Sequence, residues 1–252
     1  LAEATLENVL RWVPIDIDEG TLTNRIGNKM IRPTTVPQSL EELIIEQAIA
    51  REALRLSFIQ HKSFAVSLKG VQSQRTISDA FDQSGSGETL VDMMELDLLV
   101  GSGGVLSHAP RREQAMRMMI DAFVPEGITQ LAVDSIFMMP QLGVMANIEQ
   151  ADMAEDARKA AVEVFEKDCL IRLGTCIAPV GKPAKSGTVI LTAEFDLPGE
   201  GKQVIELKQG EIIVIPAPYE PISAKLTPSK TMSIGKDKGE SHQTDIYGGT
   251  VG

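Results

Sequence analysis

A strand–helix–strand pattern in the middle of the chain is the feature that most constrains the fold. Two apolar runs, LDLLVG at 96–101 and ITQLAVDSIF at 128–137, are typical of buried strands. Between them, APRREQAMRMMIDAFVPEG at 109–127 predicts a helix that stops at its proline and glycine. Further helices are predicted over 39–62 and within 140–168. Strands and helices thus alternate up to about residue 168, which predicts an α/β layer structure.

The helix over 39–62 carries the clearest local signals. Ser39 followed by Glu42 forms a capping box, in which the two side chains satisfy backbone N–H groups at the helix start. Its apolar positions are spread broadly, so we expect the helix to be covered on more than one side. These positions are Leu40, Leu43, Ile44, Ala48, Ile49, Ala53, Leu54, Phe58 and Ile59. A shorter helix is predicted within 19–30, and a strand over 64–71.

After residue 168 the pattern changes to short β-rich runs separated by turns. The runs are GTVILTAEF, KQVIELK, GEIIVIPA and ISAKLTP, and the turns between them are rich in glycine and proline. We therefore predict two domains, an α/β domain over 1–168 and an all-β domain, a barrel or sandwich, over 169–252. The first residue is not Met and the last residues, IYGGTVG, resemble a strand under way, so the chain is expected to be a fragment with a truncated β domain.

Charge and composition exclude some classes of partner. The formal net charge of −11 disfavours binding to nucleic acid or to an anionic membrane surface. No apolar run reaches the ~18 residues that a membrane span needs, and no signal peptide is visible. Cys169 and Cys176 have the spacing of neither a zinc knuckle nor a thioredoxin motif, so we interpret them as free thiols in a reducing, cytoplasmic compartment.

The glycine turn GSGG follows the first predicted strand. Gly101, Gly103 and Gly104 would let the backbone approach an anionic ligand or a nucleotide closely. The pattern is neither G-x-G-x-x-G nor a P-loop, so the residues alone favour a tight structural turn over a ligand site.

Several side chains near this turn are open to two interpretations each. His108 could cap the helix, line a pocket or pack. Asp97 and Asp134 flank apolar strands, where a carboxylate is paired, metal-bound, at a cleft or a helix N-cap. Arg111 and Arg112 oppose the helix dipole, which a bound anion or simple solvation would offset.

No group of residues indicates a catalytic or metal site. The three histidines are scattered, no Ser/His/Asp triad is suggested, and no metal-ligand cluster is suggested. A basic polar stretch, LKGVQSQRT at 68–76, could be a loop at a cleft. We therefore assign no catalytic residue and no metal ligand.

Several segments resemble the MutL family of glutamate-mutase-associated accessory proteins, which is unrelated to the mismatch-repair protein of the same name. They include VLRWVPIDI, RPTTVPQSLEELIIEQAIAREALRL, LLVGSGGVLSHAPRREQA and AVDSIFMMPQLGVMA, and the β-rich end resembles the family's C-terminal part. That family is similar to the actin/hexokinase/Hsp70 ATPases. The resemblance implies the second lobe of an actin-like (ribonuclease H-like) ATPase fold followed by a small all-β domain.

The resemblance also implies a function. It assigns Gly101, Ser102, Gly103, Gly104 and His108 to binding of ATP or ADP with Mg²⁺ in the intact protein. It implies an ATP-dependent accessory or reactivating protein for an adenosylcobalamin-dependent mutase, whose subunits would be its partners.

The chain departs from the ATPase pattern in one respect. It contains no DxGxT-like segment of the kind that carries the phosphate loops and Mg²⁺ carboxylates of the first lobe. A missing N-terminal lobe is therefore expected as a further partner, and this segment alone is expected to be inactive and to hold no cofactor tightly. The residues leave two alternatives open, a metabolite kinase-like enzyme on the same fold and a non-enzymatic interaction module.

Overall fold

The computed structural model describes residues 6–65, 90–148 and 154–252. It is a mixed α/β structure with several helices and three sheets in those ranges. Contacts divide the chain into two compact units, one of residues 1–92 with 121–123 and the other of residues 93–120 with 124–252.

Among the described residues of the first unit, the regular secondary structure is helical. It contains α1 (Leu6–Leu10), α2 (Glu19–Ile31) and α3 (Leu40–Phe64), so the two helices predicted here are confirmed. The core between them consists of small and branched apolar residues from all three helices, namely Val9, Leu22, Ile45, Ala48 and Ile49.

The start of α3 follows its sequence signal closely. The Ser39 hydroxyl accepts the Glu42 N–H at 3.2 Å, and the Glu42 carboxylate accepts the Gln38 N–H at 2.7 Å. Among its apolar positions, Leu40 and Ile59 are 71% and 47% exposed, and the prediction that the helix is covered on more than one side stays a prediction. The buried face of α3 includes a charged residue, which a pattern of apolar positions does not reveal.

The strand–helix–strand prediction is confirmed in the second unit. Strand β1 (Leu98–Gly101) pairs in parallel with β2 (Gly127–Asp134). The helices α4 (Gly104–Ser107) and α5 (Arg112–Phe123) lie between these strands in the chain. Parallel pairing brings the carboxyl ends of both strands to the same edge of the sheet.

Two helices and a π-helical turn follow β2. They are α6 (Met139–Ala146), α7 (Ala154–Val164) and the π turn Phe165–Cys169. Leu142, Ala161 and Cys169 form their buried cluster. The prediction of one helix followed by a longer one is thereby confirmed.

The first β-rich strand joins the α/β sheet. Strand β3 (Leu170–Ala178) pairs antiparallel with β2 along its whole length, giving the order β1-β2-β3. The sequence did not predict this pairing. The predicted domain boundary at 168/169 falls inside the second unit and stays a prediction, because a compact unit is not the same thing as a domain that folds alone.

The other long strands of this segment form one antiparallel sheet. They are β5 (Val189–Leu197), β6 (Gly201–Lys208), β7 (Pro221–Pro228) and β9 (His242–Tyr247), in the order β6-β5-β7-β9. Strands β4 (Val180–Gly181) and β8 (Met232–Ser233) form a separate pair. The core on this sheet is aliphatic apart from Phe195.

One predicted β run is not a strand. The stretch GEIIVIPA at 210–217 joins no sheet, and Ile212 is 77% exposed. Pro216 and the nearby Pro218 have no N–H to donate to a ladder. High β propensity alone therefore does not make this run a strand.

Some sequence predictions lie outside the described residues. They are residues 66–71 of the strand predicted over 64–71 and the basic polar stretch at 68–76. Among the described helices, none combines the length and the apolar character needed to cross a bilayer.

Candidate functional site at the carboxyl edge of the parallel strands

The glycine turn lies where β1 ends, and its first glycine is required by packing. Gly101 is buried and is in register with Val133 of β2. A Cβ atom at Gly101 would lie 2.8 Å from the Met119 sulfur and 3.0 Å from a Leu106 methyl group. Gly101 therefore allows α4 and α5 to approach the sheet closely, which is a structural role.

The next glycines border open space. Gly103 has φ +110° and ψ 147°, a conformation that is essentially restricted to glycine. A Cβ atom added at Gly103 or Gly104 would meet no atom within 4 Å. The turn thus presents bare backbone to solvent, and Ser102, between Gly101 and Gly103, is partly exposed. A ligand could approach the backbone closely here.

Asp134 ends β2 at the same edge and holds the loop that comes next. Its carboxylate is fully buried and accepts three backbone N–H groups, from Ile136 at 3.4 Å, Met138 at 3.3 Å and Met139 at 3.0 Å. The predicted N-cap role is wrong in detail, because the N-cap of α6 is Met138 and Asp134, four residues earlier, instead accepts N–H groups of the loop and of the first helical residue. Both carboxylate oxygens are engaged, so Asp134 positions α6 and is not free to bind a ligand.

Ser107 connects the glycine turn to the Asp134 loop. Its hydroxyl is buried and donates to the Asp134 carbonyl at 2.5 Å, while its own carbonyl accepts an N–H of Arg112 at 2.6 Å. Ser107 was not predicted from the sequence, because a serine two residues before an alanine carries no motif. The only sequence signal for it would have been Asp134, 27 positions later in the chain, whose carbonyl accepts the Ser107 hydroxyl.

His108 is exposed beside the turn. Its backbone N–H donates to the Gly104 carbonyl and its ring centroid lies 5.9 Å from that of Phe137. Phe137 is one of the two non-glycine residues with positive φ among those described, at +60°. The ring contact places His108 between the two loops, and its assignment to a ligand stays a prediction.

The remaining charged candidates separate into two groups. Arg112 is engaged with the Ser107 carbonyl, whereas Arg111 is exposed. Asp97 is exposed and precedes β1, so it lies at the opposite end of the strands from Asp134. Asp97 therefore does not belong to this site.

Within the described ranges, no group of three or more His, Cys, Asp or Glu residues is arranged to hold a metal ion. The glycine turn offers accessible backbone. The buried carboxylate of Asp134 at this edge already accepts three backbone N–H groups.

Both cysteines are free thiols, and Cys169 lies close to this edge. The Ser135 N–H and hydroxyl both donate to the Cys169 carbonyl at 2.9 Å. Burial raises the pKa of Cys176 to about 11. Burial also raises the pKa of Cys169, and the neighbouring carboxylates of Asp134 and Asp168 add to that effect. Both thiols are therefore held in the protonated, weakly nucleophilic form.

We expect the native protein to react with Ellman's reagent at pH 8 about 100-fold more slowly than the protein unfolded in guanidinium, because few thiolates form at a pKa near 11. The measurement is absorbance at 412 nm against time, with and without denaturant. Rapid reaction of one thiol in the native protein would contradict the burial of both thiols.

Comparison with protein families bears on the identity of the chain. A family model described as MutL protein matches residues 1–168. The chain belongs to the MutL family. The matched residues include α3, the glycine turn and the Asp134 loop, whereas β3 and the strands after it lie beyond the match. The match is consistent with the glutamate mutase accessory family that the sequence resembles. Comparison with curated proteins and with solved structures gives no match.

Proposed function

We propose that this MutL family member is an ATP-dependent accessory protein that reactivates an adenosylcobalamin-dependent mutase of the glutamate mutase type. The observation that carries the proposal is the glycine turn of a MutL chain, which presents unobstructed backbone at the carboxyl edge of two parallel strands. Ligands of open α/β sheets bind outside this edge.

The proposal assigns nucleotide contact to the backbone of Ser102, Gly103 and Gly104, with His108 beside it. It treats β1, β2 and their helices as the second lobe of an actin-like ATPase. A further lobe outside these 252 residues would supply the phosphate loops and the Mg²⁺ ligands. The bound Mg²⁺–ATP would contribute the hydrolysable phosphoanhydride, and this chain's residues would bind and orient the nucleotide.

Nucleotide state could control the partner by a population shift. A ligand that binds the closed arrangement of two lobes more tightly than the open one favours closure in proportion to that difference. If the mutase subunits bind one arrangement better, nucleotide exchange changes their affinity. We include this mechanism in the proposal. We also propose that the protein is cytoplasmic.

We expect Gly104→Val to weaken ATP binding by about tenfold or more, because the added side chain occupies the open space over the turn. Gly104 suits the test because a Cβ there meets nothing and its φ is not positive, so the fold should survive. Isothermal titration of the full-length protein, including the proposed further lobe, with ATP and with ADP gives the two affinities.

Gly27→Val is the matched control. Gly27 lies within α2, has no positive φ, and a Cβ there also meets nothing within 4 Å. It should bind nucleotide as the unaltered protein does.

Absence of ATP and ADP binding by the full-length protein would contradict the proposal. Phosphorylation of a small substrate would favour a metabolite kinase. If Gly104→Val binds the mutase as tightly as the unaltered protein does, both with and without ATP, an interaction module without nucleotide control would be favoured.

A further inference from the structure

Strand β6 is an edge of the four-stranded sheet and has one open side. It pairs with β5, and no other strand pairs with it anywhere in the fully described range 154–252. An open edge carries N–H and C=O groups that another strand can pair with. This edge is separate from the glycine turn, so pairing along it does not depend on the proposed function.

The backbone direction along β6 identifies the residues that face outward. The Gln209 N–H donates to the carbonyl of Thr188, the residue just before β5, and so points toward β5. The Lys208 N–H instead donates to the Glu211 carboxylate at 3.3 Å. Backbone direction alternates with every residue in a strand. The N–H and C=O groups of the even-numbered residues of β6 therefore point away from β5.

The side chains of the same residues are exposed and carry charges in a complementary order. Lys202, Val204, Glu206 and Lys208 are all exposed, Val204 to 66%. Glu200 precedes them in the turn and is exposed too. Within the described residues, none of these four charged side chains forms an ion pair.

We propose that the open edge of β6 pairs antiparallel with β6 of a second copy of this chain, about a two-fold axis through Val204. In this register Lys202 faces Glu206 of the second copy, and the symmetry repeats that pair. The two Val204 side chains meet at the centre. Glu200 lies in the turn before β6, and the outward N–H and C=O groups of Lys208 are engaged by Glu211, so the charge pairs between free strand residues are the two Lys202–Glu206 pairs. Both are opposite in sign, which stabilises directly opposed strand residues.

Neighbouring registers are much poorer. A two-fold axis one residue later places Lys202 opposite Lys208, and like charges directly opposite each other are destabilising. An axis one residue earlier places Lys202 opposite Val204, so both Lys202–Glu206 pairs are lost. The charge order of β6 therefore selects one register.

β6 lacks two features that block many edge strands. Its sequence, GKQVIELK, contains no proline, and the irregularity in the β5–β6 ladder lies between Val189 and Leu191 of β5. Charged side chains also protect edges. On β6 the charges have both signs around an apolar centre, so they pair with those of a second copy in the proposed register.

The test is a charge reversal at Glu206, read by sedimentation velocity on the full chain. The unaltered chain should form a dimer. Glu206→Lys places two lysine pairs in contact and should raise the dimer dissociation constant by about tenfold or more. Glu206 suits the reversal because its neighbour in β5 is the uncharged Thr192. Glu240→Lys, the same charge change at an exposed residue outside the sheet's strands, should leave dimerisation unchanged.

Two further variants make the proposal specific to the register. Lys202→Glu should also weaken the dimer, and combining it with Glu206→Lys in one chain should restore it. A mixture of the two single variants should form a heterodimer, because every charge pair is then complementary. Circular dichroism checks folding, since Lys202→Glu brings two carboxylates opposite each other across β5 and β6, at positions 196 and 202.

Concentration-dependent hydrogen exchange gives a second readout. Amides of 202, 204 and 206 should gain protection as the concentration rises, while those of 203 and 205 should not change. A chain that stays monomeric up to about 1 mM would overturn the proposal, as would a dimer that Glu206→Lys leaves intact or a double variant that fails to regain it.

Discussion

Replacing Asp134 with alanine will lower the free energy of unfolding by about 3 kcal/mol, because it leaves three backbone N–H groups without their acceptor at a buried position. The affected loop also receives the Ser107 hydroxyl, which fixes the glycine turn beside it. Nucleotide affinity should therefore fall together with stability. Urea denaturation followed by circular dichroism gives the change in free energy.

Two other substitutions separate this role from a general effect of removing charge. Asp134→Asn retains the oxygen that faces Ile136 and Met138 and loses the acceptor for Met139, so it should cost about 1–2 kcal/mol. Asp97→Ala removes an exposed carboxylate at the other end of the same pair of strands and should change stability by less than about 0.5 kcal/mol. Equal changes in the free energy of unfolding for Asp97→Ala and Asp134→Ala would refute the role of Asp134 as the acceptor that holds the loop after β2.

Replacing Glu52 with glutamine is expected to destabilise the protein by about 3 kcal/mol. Glu52 lies on α3 with no exposed surface and accepts from three side chains. Arg55 donates to both carboxylate oxygens at 2.6 and 3.1 Å, Arg11 donates at 2.6 Å, and the Trp12 indole N–H donates at 3.1 Å. Glutamine keeps one acceptor but turns an amide group toward the guanidinium groups and leaves their charge unbalanced.

The same site predicts a dependence on pH. The hydrogen bonds from Arg55 contribute most to holding the pKa of Glu52 at about 2, with Trp12 and Arg11 adding to the effect against the opposing cost of burial. A carboxylate whose pKa is lowered on folding stabilises the folded state fully above its unfolded pKa, near 4.5, and loses that contribution as the pH falls toward 2. The difference between Glu52 and Glu52→Gln proteins should stay constant above about pH 5 and narrow between pH 4.5 and 2.

An exposed pair provides the control for Glu52. Glu113 pairs with Arg117 one turn along α5, with both side chains largely exposed, so Glu113→Gln should change stability by less than about 0.5 kcal/mol at any pH. A difference in free energy between Glu52 and Glu52→Gln proteins that does not vary between pH 7 and pH 3 would contradict a Glu52 pKa of about 2, because the loss begins near the unfolded pKa of 4.5. A difference that persists unchanged at pH 2 would contradict that pKa.

Local signals in the sequence determined the elements that carry the site. The Ser39–Glu42 spacing located the start of α3 because both groups of a cap lie within one turn of each other. The apolar runs located β1 and β2, and the glycines located the turn. Both signals are local, because the end of a strand and the positive φ of a glycine depend on neighbouring residues. Membership of the MutL family, which the sequence segments indicated, also belongs to this part.

Only the tertiary structure decided how these elements are used. It paired β3 with β2, joined Ser107 to Asp134, and surrounded Glu52 with donors about 40 positions away in the chain. It also left the strongly β-prone run at 210–217 unpaired and the outer edge of β6 open. Each of these outcomes depends on which distant residues compete for one partner. That competition is settled by packing of the whole chain, so no local pattern of residues could have predicted it.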